Sequence, residues 1–270
     1  MTNVHAGAPE YEIFAIKYGQ RTGTRGGMFL NADAHDTPLA MDYFVWALRS
    51  PEMTIVVDVG FGRDEGERRG REFLRCPTDG LRAVGIDADT VSDVIITHMH
   101  YDHAGNLELF PQAQFHIQDE EMEFVTGRAM THNALRHSFR LDDVLQMVRM
   151  VYGDRVVFHA GDAEVAPGVS VHHIGGHTRG LQCVRVNTAR GAVVLASDTS
   201  HYYENFEQEV TFATVENVFL MHEGFRRLKS LAPSLQHIVP GHDPDVLARY
   251  PAASADLQGV AARLDKAPLR

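Results

Sequence analysis

The chain has 270 residues, of which 44% are hydrophobic and 23% charged, and this composition is typical of a soluble protein that can bury a full core. The formal net charge of −11 argues against a nucleic-acid partner, because proteins that bind polyanions cluster lysine and arginine at the contact. No apolar run approaches the roughly 18 residues of a membrane span, and the N-terminus has no secretory signal pattern. We therefore expect one cytoplasmic domain over residues 1–270, with no membrane partner.

Strands are predicted for the segments rich in β-branched and aromatic residues. In chain order they are residues 11–18, 42–48, 54–59, 93–97, 113–118, 169–174, 181–186, 192–197 and 236–239. Residues 20–39, between the first two, are predicted as a loop that contains several glycines. Its Met28, Phe29 and Leu30 either form a substrate-facing rim or pack under the sheet.

Helices are predicted in four places. Residues 63–74 are polar and residues 79–84 form a short helical segment, while residues 133–152 show the longest three- and four-residue spacing of apolar side chains. A fourth helix begins with the acidic residues 119–121, because carboxylates at a helix N-terminus interact favourably with the helix dipole.

The strongest functional signal is the segment His98-Met99-His100-Tyr101-Asp102-His103, directly after a predicted strand. Imidazole and carboxylate groups are ligands of zinc, iron and manganese. His98 and His100 are two residues apart, so their side chains can lean to one side of the loop. Asp102 and His103 lie beyond the turn and can reach a second position, and one segment could thus supply ligands to two adjacent metals.

The second half of the chain repeats this placement. His177, Asp198 and His242 each lie just after a predicted strand, where the loops of α/β sheets gather functional side chains. Glycines precede His177 and His242 and would let the backbone approach its neighbours closely. The recurring order of strand, turn and ligand predicts two similar sheets that face one site.

With these seven positions in order, the chain resembles the metallo-β-lactamase-fold hydrolases over nearly its whole length. The resemblance implies an α/β fold, a four-layer αββα sandwich with a dinuclear metal site at one edge. It implies one metal held by His98, His100 and His177, a second held by Asp102, His103 and His242, and Asp198 bridging the two.

Within that superfamily, residues 198–207 and Pro240-Gly241-His242-Asp243 are most similar to the N-acyl homoserine lactonases, the quorum-quenching enzymes that open a lactone ring. Those lactonases usually carry a tyrosine three residues after the bridging aspartate, where it polarises the lactone carbonyl. Here that position is His201, and Tyr202 follows it. The departure affects the expected substrate and leaves the expected fold and metals unchanged.

The resemblance implies a small-molecule lactone or ester as substrate and two divalent metal ions as cofactors, with zinc favoured over iron, manganese or cobalt. A hydroxide that bridges two metals would attack the ester carbonyl. Asp102 would carry a proton to the leaving oxygen, and His201 or Tyr202 would donate a hydrogen bond to the developing oxyanion.

Other functions fit the sequence less well. A flavodiiron-type oxidoreductase shares the fold but carries glutamate where His100 stands. The remaining alternative is a related hydrolase of another lactone, ester or cyclic amide, and the chain is expected as a monomer or homodimer. Histidines outside the motif are interpreted as surface or supporting groups: His5, His35, His116, His132, His137, His159, His172, His173, His222 and His237.

Overall fold

Two β-sheets form the centre of the protein in the computed structural model, which describes residues 7–30 and 36–270. The strands are β1 (Glu12–Thr24), β2 (Pro38–Arg49), β3 (Thr54–Val57), β4 (Glu72–Phe73), β5 (Asp93–Ile95), β6 (Gln114–Gln118), β7 (Val156–His159), β8 (Ala163–Ala166), β9 (Val169–His173), β10 (Gln182–Thr188), β11 (Gly191–Ser197), β12 (Ile238–Pro240) and β13 (Ala261–Arg263).

Helices flank these sheets. They are α1 (Arg25–Met28), α2 (Arg63–Arg68), α3 (Pro77–Ala83), α4 (Tyr101–Ala104), α5 (Asp119–Thr126), α6 (Asn133–Arg136), α7 (Leu141–Tyr152), α8 (Tyr203–Gln208), α9 (Val218–Leu231) and α10 (Asp245–Arg249). Within the described ranges, no helix is both long enough and apolar enough to cross a membrane.

The first sheet has the strand order β13-β1-β2-β3-β5-β6-β7, with β4 beside β1, and the second has the order β12-β11-β10-β9-β8. Strands β3, β5, β6 and β7 run parallel, and so do β11 and β12. Parallel neighbours end at the same edge of a sheet. The loops that follow β3 and β5 therefore lie together, as do the loops that follow β11 and β12.

Strand β2 shows how the layers are held together. Its side chains alternate between the two faces, as the two-residue period of a strand requires. Phe44 and Trp46 are buried between the two sheets, in one core with Phe225 of α9. Tyr43 and Val45 are buried on the opposite face, in a second core with residues of α5 and α7. The two sheets with helices outside them confirm the predicted αββα sandwich.

The helix predicted over residues 133–152 is two helices, α6 and α7, and the single-helix prediction is wrong. The break at residues 137–140 has a cause in the tertiary structure. The carbonyl oxygen of His137 accepts a hydrogen bond from Arg69 at 2.8 Å, and that of Ser138 accepts one from the backbone N–H of Tyr101 at 3.0 Å. These carbonyls therefore bond to distant partners instead of continuing a helical ladder.

The predictions for residues 20–39 and 63–74 also need correction. Strand β1 continues to Thr24, because β2 pairs with it along its whole length, and α1 follows. Met28 and Phe29 are buried, which favours packing over an exposed rim, while residues 31–35 lie outside the described part of the chain. Helix α2 ends at Arg68, and residues 72–73 pair with β1 as β4.

Two phenylalanines of α9 provide a matched test of the core that contains Phe44 and Trp46. Phe225 is fully buried, whereas Phe219 on the same helix is 69% exposed. We expect Phe225→Ala to lower the free energy of unfolding by about 3 to 5 kcal/mol, because it leaves a cavity. Phe219→Ala should change it by less than about 0.5 kcal/mol. Urea denaturation followed by circular dichroism measures both, and equal losses would contradict this assignment of the core.

Candidate metal centre

Four chain segments meet at one edge of the two sheets. The segment 98–103 follows β5, and the loops after β9, β11 and β12 carry His177, Asp198 and His242. Because β11 and β12 are parallel neighbours, their carboxyl ends bring Asp198 and His242 side by side. The sheet topology thus gathers residues that are up to 144 positions apart in the sequence.

Close backbone packing between these loops depends on two glycines. A Cβ atom on Gly241 would lie 2.7 Å from the carbonyl oxygen of Ser197, and one on Gly176 would lie 2.7 Å from the backbone nitrogen of Met221. Gly176 also has a φ of +86°, a conformation that other residues rarely adopt. The hydrogen side chain is therefore required at both positions, next to His242 and His177.

Three histidines and one carboxylate form a first group. His98 Nε2 and His177 Nε2 lie 3.0 and 2.9 Å from His100 Nδ1. Asp198 Oδ2 lies 3.1 Å from His177 Nε2. All four side chains are buried, and one ligand atom from each lies within 4.8 Å of the others.

A second group lies on the other side of Asp198. It consists of Asp102, His103 and His242, with Asp102 Oδ2 at 3.7 Å from His103 Nε2 and 3.8 Å from His242 Nε2. Asp198 Oδ1 lies 3.0 Å from His242 Nε2 and 3.3 Å from His103 Nε2. One carboxylate therefore directs one oxygen at each group.

The donor atoms fit divalent metal ions. The buried atoms His103 Nε2 and Asp198 Oδ1 have no hydrogen-bond partner among the described residues, although they face each other. Buried polar atoms are rarely left unpaired, and a metal between them would satisfy both. Burial and the neighbouring histidines lower the pKa of His98 and His100 well below the usual value, so both rings are neutral and have a free lone pair.

Backbone carbonyls fix the orientation of two rings. His177 Nδ1 lies 2.6 Å from the carbonyl oxygen of Thr214, and His242 Nδ1 lies 2.8 Å from that of Asp42. Since a carbonyl can only accept, each Nδ1 carries the proton. Nε2 is then the atom that each ring can offer to a metal, and in both rings it faces Asp198.

Asp58 supports the centre, and sequence reasoning did not identify it. It follows β3 with a φ of 60° and is fully buried. Its Oδ2 lies 2.7 Å from His103 Nδ1, and its two oxygens accept hydrogen bonds from the N–H and hydroxyl of Thr97 at 2.8 Å. Asp58 lay within the predicted strand 54–59, where a single aspartate near a strand end gave no distinct signal.

Glu121 also supports the centre without having been identified. Helix α5 places its carboxylate in the interior, where it accepts hydrogen bonds from the N–H of Met99 at 2.8 Å, the hydroxyl of Thr178 at 2.7 Å and the N–H of Gly180 at 3.0 Å. Glu121 therefore joins the loop of His98 and His100 to the loop of His177.

His201 and Tyr202 occupy different environments. His201 is buried, its ring stacks on Phe212 at 3.6 Å, and its Nε2 lies 2.9 Å from Asp198 Oδ2. Burial lowers the pKa of His201 to about 4, even though Asp198 opposes the shift. The hydroxyl of Tyr202 donates to the carbonyl oxygen of Ala40 at 3.1 Å, and its ring stacks on Phe29. The structure thus brings His201 to the centre and holds Tyr202 in a packing position.

A cavity of about 250 Å³ opens onto both groups. It is lined by Arg21, Gly27, Met41, Tyr43, Arg69, Arg71, His100, Tyr101, Asp102, His137, Ser138, His177, Asp198, His201, Thr214 and His242. Sequence analysis missed the three arginines, because they have no common spacing, and interpreted His137 as a surface or supporting group. His5 lies outside the described residues, as does His35.

Comparisons with known proteins agree with this geometry. The family model of the metallo-beta-lactamase superfamily matches residues 42–262. An N-acyl homoserine lactonase from a Bacillus species is 32% identical over 165 residues, an alignment that covers 60% of this chain and 60% of the relative. The chain therefore matches less than two thirds of that relative's length.

Two solved structures share the fold. One is a quorum-quenching N-acyl homoserine lactone lactonase, with a TM-score of 0.72, 24% identity, and coverage of 88% of this chain and 93% of that chain. The other is a probable metal-dependent hydrolase from Staphylococcus aureus, with a TM-score of 0.73, 15% identity, and coverage of 98% of this chain and 97% of that chain.

Glu121 and Glu123, two residues apart on α5, allow a matched test of loop support. We expect Glu121→Ala to weaken metal binding about 10- to 100-fold and to lower the free energy of unfolding by at least about 2 kcal/mol, because three buried donors lose their acceptor. Glu123 is exposed, and Glu123→Ala should change neither quantity. Competition with a chromogenic chelator and urea denaturation measure the two effects. Unchanged metal affinity in Glu121→Ala would contradict its supporting role.

Proposed function

The chain belongs to the metallo-beta-lactamase superfamily, and we propose that it is a dinuclear metal-dependent hydrolase that opens a lactone ring. N-acyl homoserine lactones are the first substrates to test, because the relative at 32% identity is an N-acyl homoserine lactonase. The observation that carries the proposal is the buried Asp198 carboxylate, which directs one oxygen at each of two groups of ligand atoms. A quorum-quenching role would follow from that substrate.

We assign one metal to His98, His100 and His177, a second to Asp102, His103 and His242, and both to Asp198. Neutral imidazoles with carboxylates suit zinc, and iron, manganese or cobalt could take the same donors. Divalent cations bound there would supply polarisation of the ester carbonyl and a water molecule of lowered pKa.

Asp102 is the proposed proton carrier. Its carboxylate lines the cavity, and its backbone carbonyl oxygen accepts a hydrogen bond from the Tyr18 hydroxyl at 2.7 Å. This bond fixes the start of α4, so the carboxylate is held at the cavity wall. There it can take up the proton of an attacking water and return it to the alkoxide that leaves when the ring opens.

His201 is the proposed hydrogen-bond donor to the substrate carbonyl, in preference to Tyr202. A neutral imidazole carries one N–H, and the stacked Phe212 ring holds its plane in place. Its Nε2 faces Asp198 Oδ2 at 2.9 Å, so its N–H donates to that carboxylate, and a metal held by this oxygen would free the N–H for a substrate carbonyl at the centre. Tyr202 does not line the cavity and its hydroxyl already donates to Ala40.

Removing a ligand should lower the metal content of the centre. We expect Asp198→Ala and His177→Ala to abolish hydrolysis and to reduce bound metal from about two ions per chain to one or fewer, because each variant removes a ligand of a buried site. Elemental analysis of the purified protein gives the metal content, and initial rates give the activity.

The control for these variants is His172→Ala. His172 is half-buried and lies 2.9 Å from Asp162, away from the cavity. It should keep both the metal content and the activity of the wild type. An Asp198→Ala variant with wild-type turnover would overturn the two-metal assignment.

The substrate assignment is tested by ring opening. We expect metal-loaded protein to release protons from N-acyl homoserine lactones and from simple γ-lactones in weak buffer, and a chelator to stop the release until metal is restored. Full metal content without turnover of any lactone would refute lactone hydrolysis. Turnover of other lactones but no homoserine lactone would favour the alternative, a hydrolase of another lactone or ester.

A further inference from the structure

The wall of the cavity is positively charged, although the chain as a whole has a net charge of −11. Three arginines line it: Arg21 from β1, Arg69 from the residue after α2, and Arg71 just before β4. Among the described residues that line it, the carboxylates are Asp102 and Asp198, which both face ligand groups of the metal centre. The described wall therefore has more guanidinium groups than carboxylates.

Among the described residues, the guanidinium group of Arg71 makes hydrogen bonds only to neutral groups. Its Nε donates to the Tyr101 hydroxyl at 3.1 Å, and its Nη1 donates to the carbonyl oxygen of Arg69 at 2.8 Å. No described carboxylate forms an ion pair with its guanidinium group, although Asp102 attracts it from a longer distance. Its Nη2 has no hydrogen-bond partner among the described residues, so donor capacity remains at the cavity wall.

Arg21 has no described carboxylate partner either. Its Nε donates to the Met41 sulfur at 3.3 Å, which is a weak acceptor. Burial and Asp102 raise the pKa of Tyr43, and Arg21 and Arg71 oppose that rise, as two cations near one phenol would. Tyr43 in turn packs edge-on against His242, with ring centroids 5.2 Å apart. The two arginines therefore flank a tyrosine that contacts the metal centre.

Arg69 is paired, but its partner is shared. Glu65 lies 2.5 Å from Arg69 and 2.5 Å from Arg68, and 3.9 Å from Arg140. Arg140 also pairs with Asp142 at 3.2 Å and with Asp143 at 3.3 Å. Glu65 therefore serves mainly Arg68 and Arg69, and Arg69 has an ion-pair partner that Arg21 and Arg71 lack.

We propose that the substrate is a lactone or ester that carries an anionic oxygen group, a carboxylate or a phosphate, and that Arg21 and Arg71 bind this group. The proposal rests on the hydrolase function proposed above and names its substrate class. Guanidinium groups bind such oxyanions through paired, charge-assisted hydrogen bonds. N-acyl homoserine lactones carry no charge, and they would leave both guanidinium groups without an anionic partner.

A half-buried cationic pocket in an acidic protein also affects selectivity. Binding a neutral substrate there would displace water from two guanidinium groups and replace it with nothing of opposite charge. An anionic substrate compensates that loss. The positive wall attracts the anion locally, although the acidic remainder of the surface repels it. Selectivity for the anion then arises from the arginines, while the metal centre acts on the ester bond.

The test uses three γ-butyrolactones that differ at one ring substituent: a 3-carboxylate, a 3-phosphonate and a 3-carboxamide. For metal-loaded wild type we expect kcat/KM to be about 10- to 100-fold higher for one of the anionic lactones than for the carboxamide, the range for charged hydrogen bonds. The better of the two anions identifies the oxyanion. Equal kcat/KM values for all three would overturn the proposal.

Variants locate the selectivity. Arg21→Gln and Arg71→Gln should raise KM for the preferred anion and bring the ratio of its kcat/KM to that of the carboxamide towards one. Arg71→Lys should restore part of the preference for the anion, because lysine keeps the positive charge but lacks the paired N–H donors of a guanidinium group. Arg226→Gln is the matched control, since Arg226 is 67% exposed on α9 and lies outside the cavity wall. Loss of selectivity in the control would contradict the assignment.

A binding measurement separates this proposal from the hydrolase function. Isothermal titration uses cyclopentanone-3-carboxylate and cyclopentanone-3-carboxamide, which have no ester bond to hydrolyse. Tighter binding of the carboxylate by wild type, lost in Arg71→Gln, supports the anion site even if no lactone is turned over, in which case only the hydrolase proposal fails. Lactone turnover without preference for an anion, in rate or in binding, leaves the hydrolase function intact and refutes the anion site.

Discussion

The structure depends on one buried carboxylate placed between two sets of histidine nitrogens. Asp198 is ionised, because His242 and His103 lower its pKa well below the usual range despite burial. A lone carboxylate in such a place would be costly, since charges removed from water need compensating partners. The four loops that meet around Asp198 supply those partners, so the edge of both sheets is organised around it.

Two further buried carboxylates hold the loops in position. Asp58 connects the end of β3 to Thr97 and His103, and Glu121 connects α5 to the backbone on both sides of the centre. Both bond to backbone N–H groups as well as to side chains, so they fix the path of the chain as well as ring orientation. A metal site needs such rigidity, because ligands displaced by small distances lose affinity.

The chemistry of the cavity separates into two parts. The histidine and aspartate groups would act on the ester bond of the proposed substrate, whereas Arg21 and Arg71, which line the cavity with Tyr43, would bind its anionic group. His201, at the position where a tyrosine was expected, belongs to the part of the site that faces the cavity.

The sequence by itself determined two facing sheets and the seven candidate ligands, because strand periodicity and the clustering of ligand types after strands are local patterns, and the family resemblance added the four-layer arrangement. Only the tertiary structure decided the supporting carboxylates, the cationic wall and the break between α6 and α7. Asp58, Glu121 and Arg71 have no distinctive spacing, and their environments arise from segments that are distant in sequence. Tyr202 and His201 are adjacent in the chain, yet the turn before α8 directs one into packing and the other to the centre.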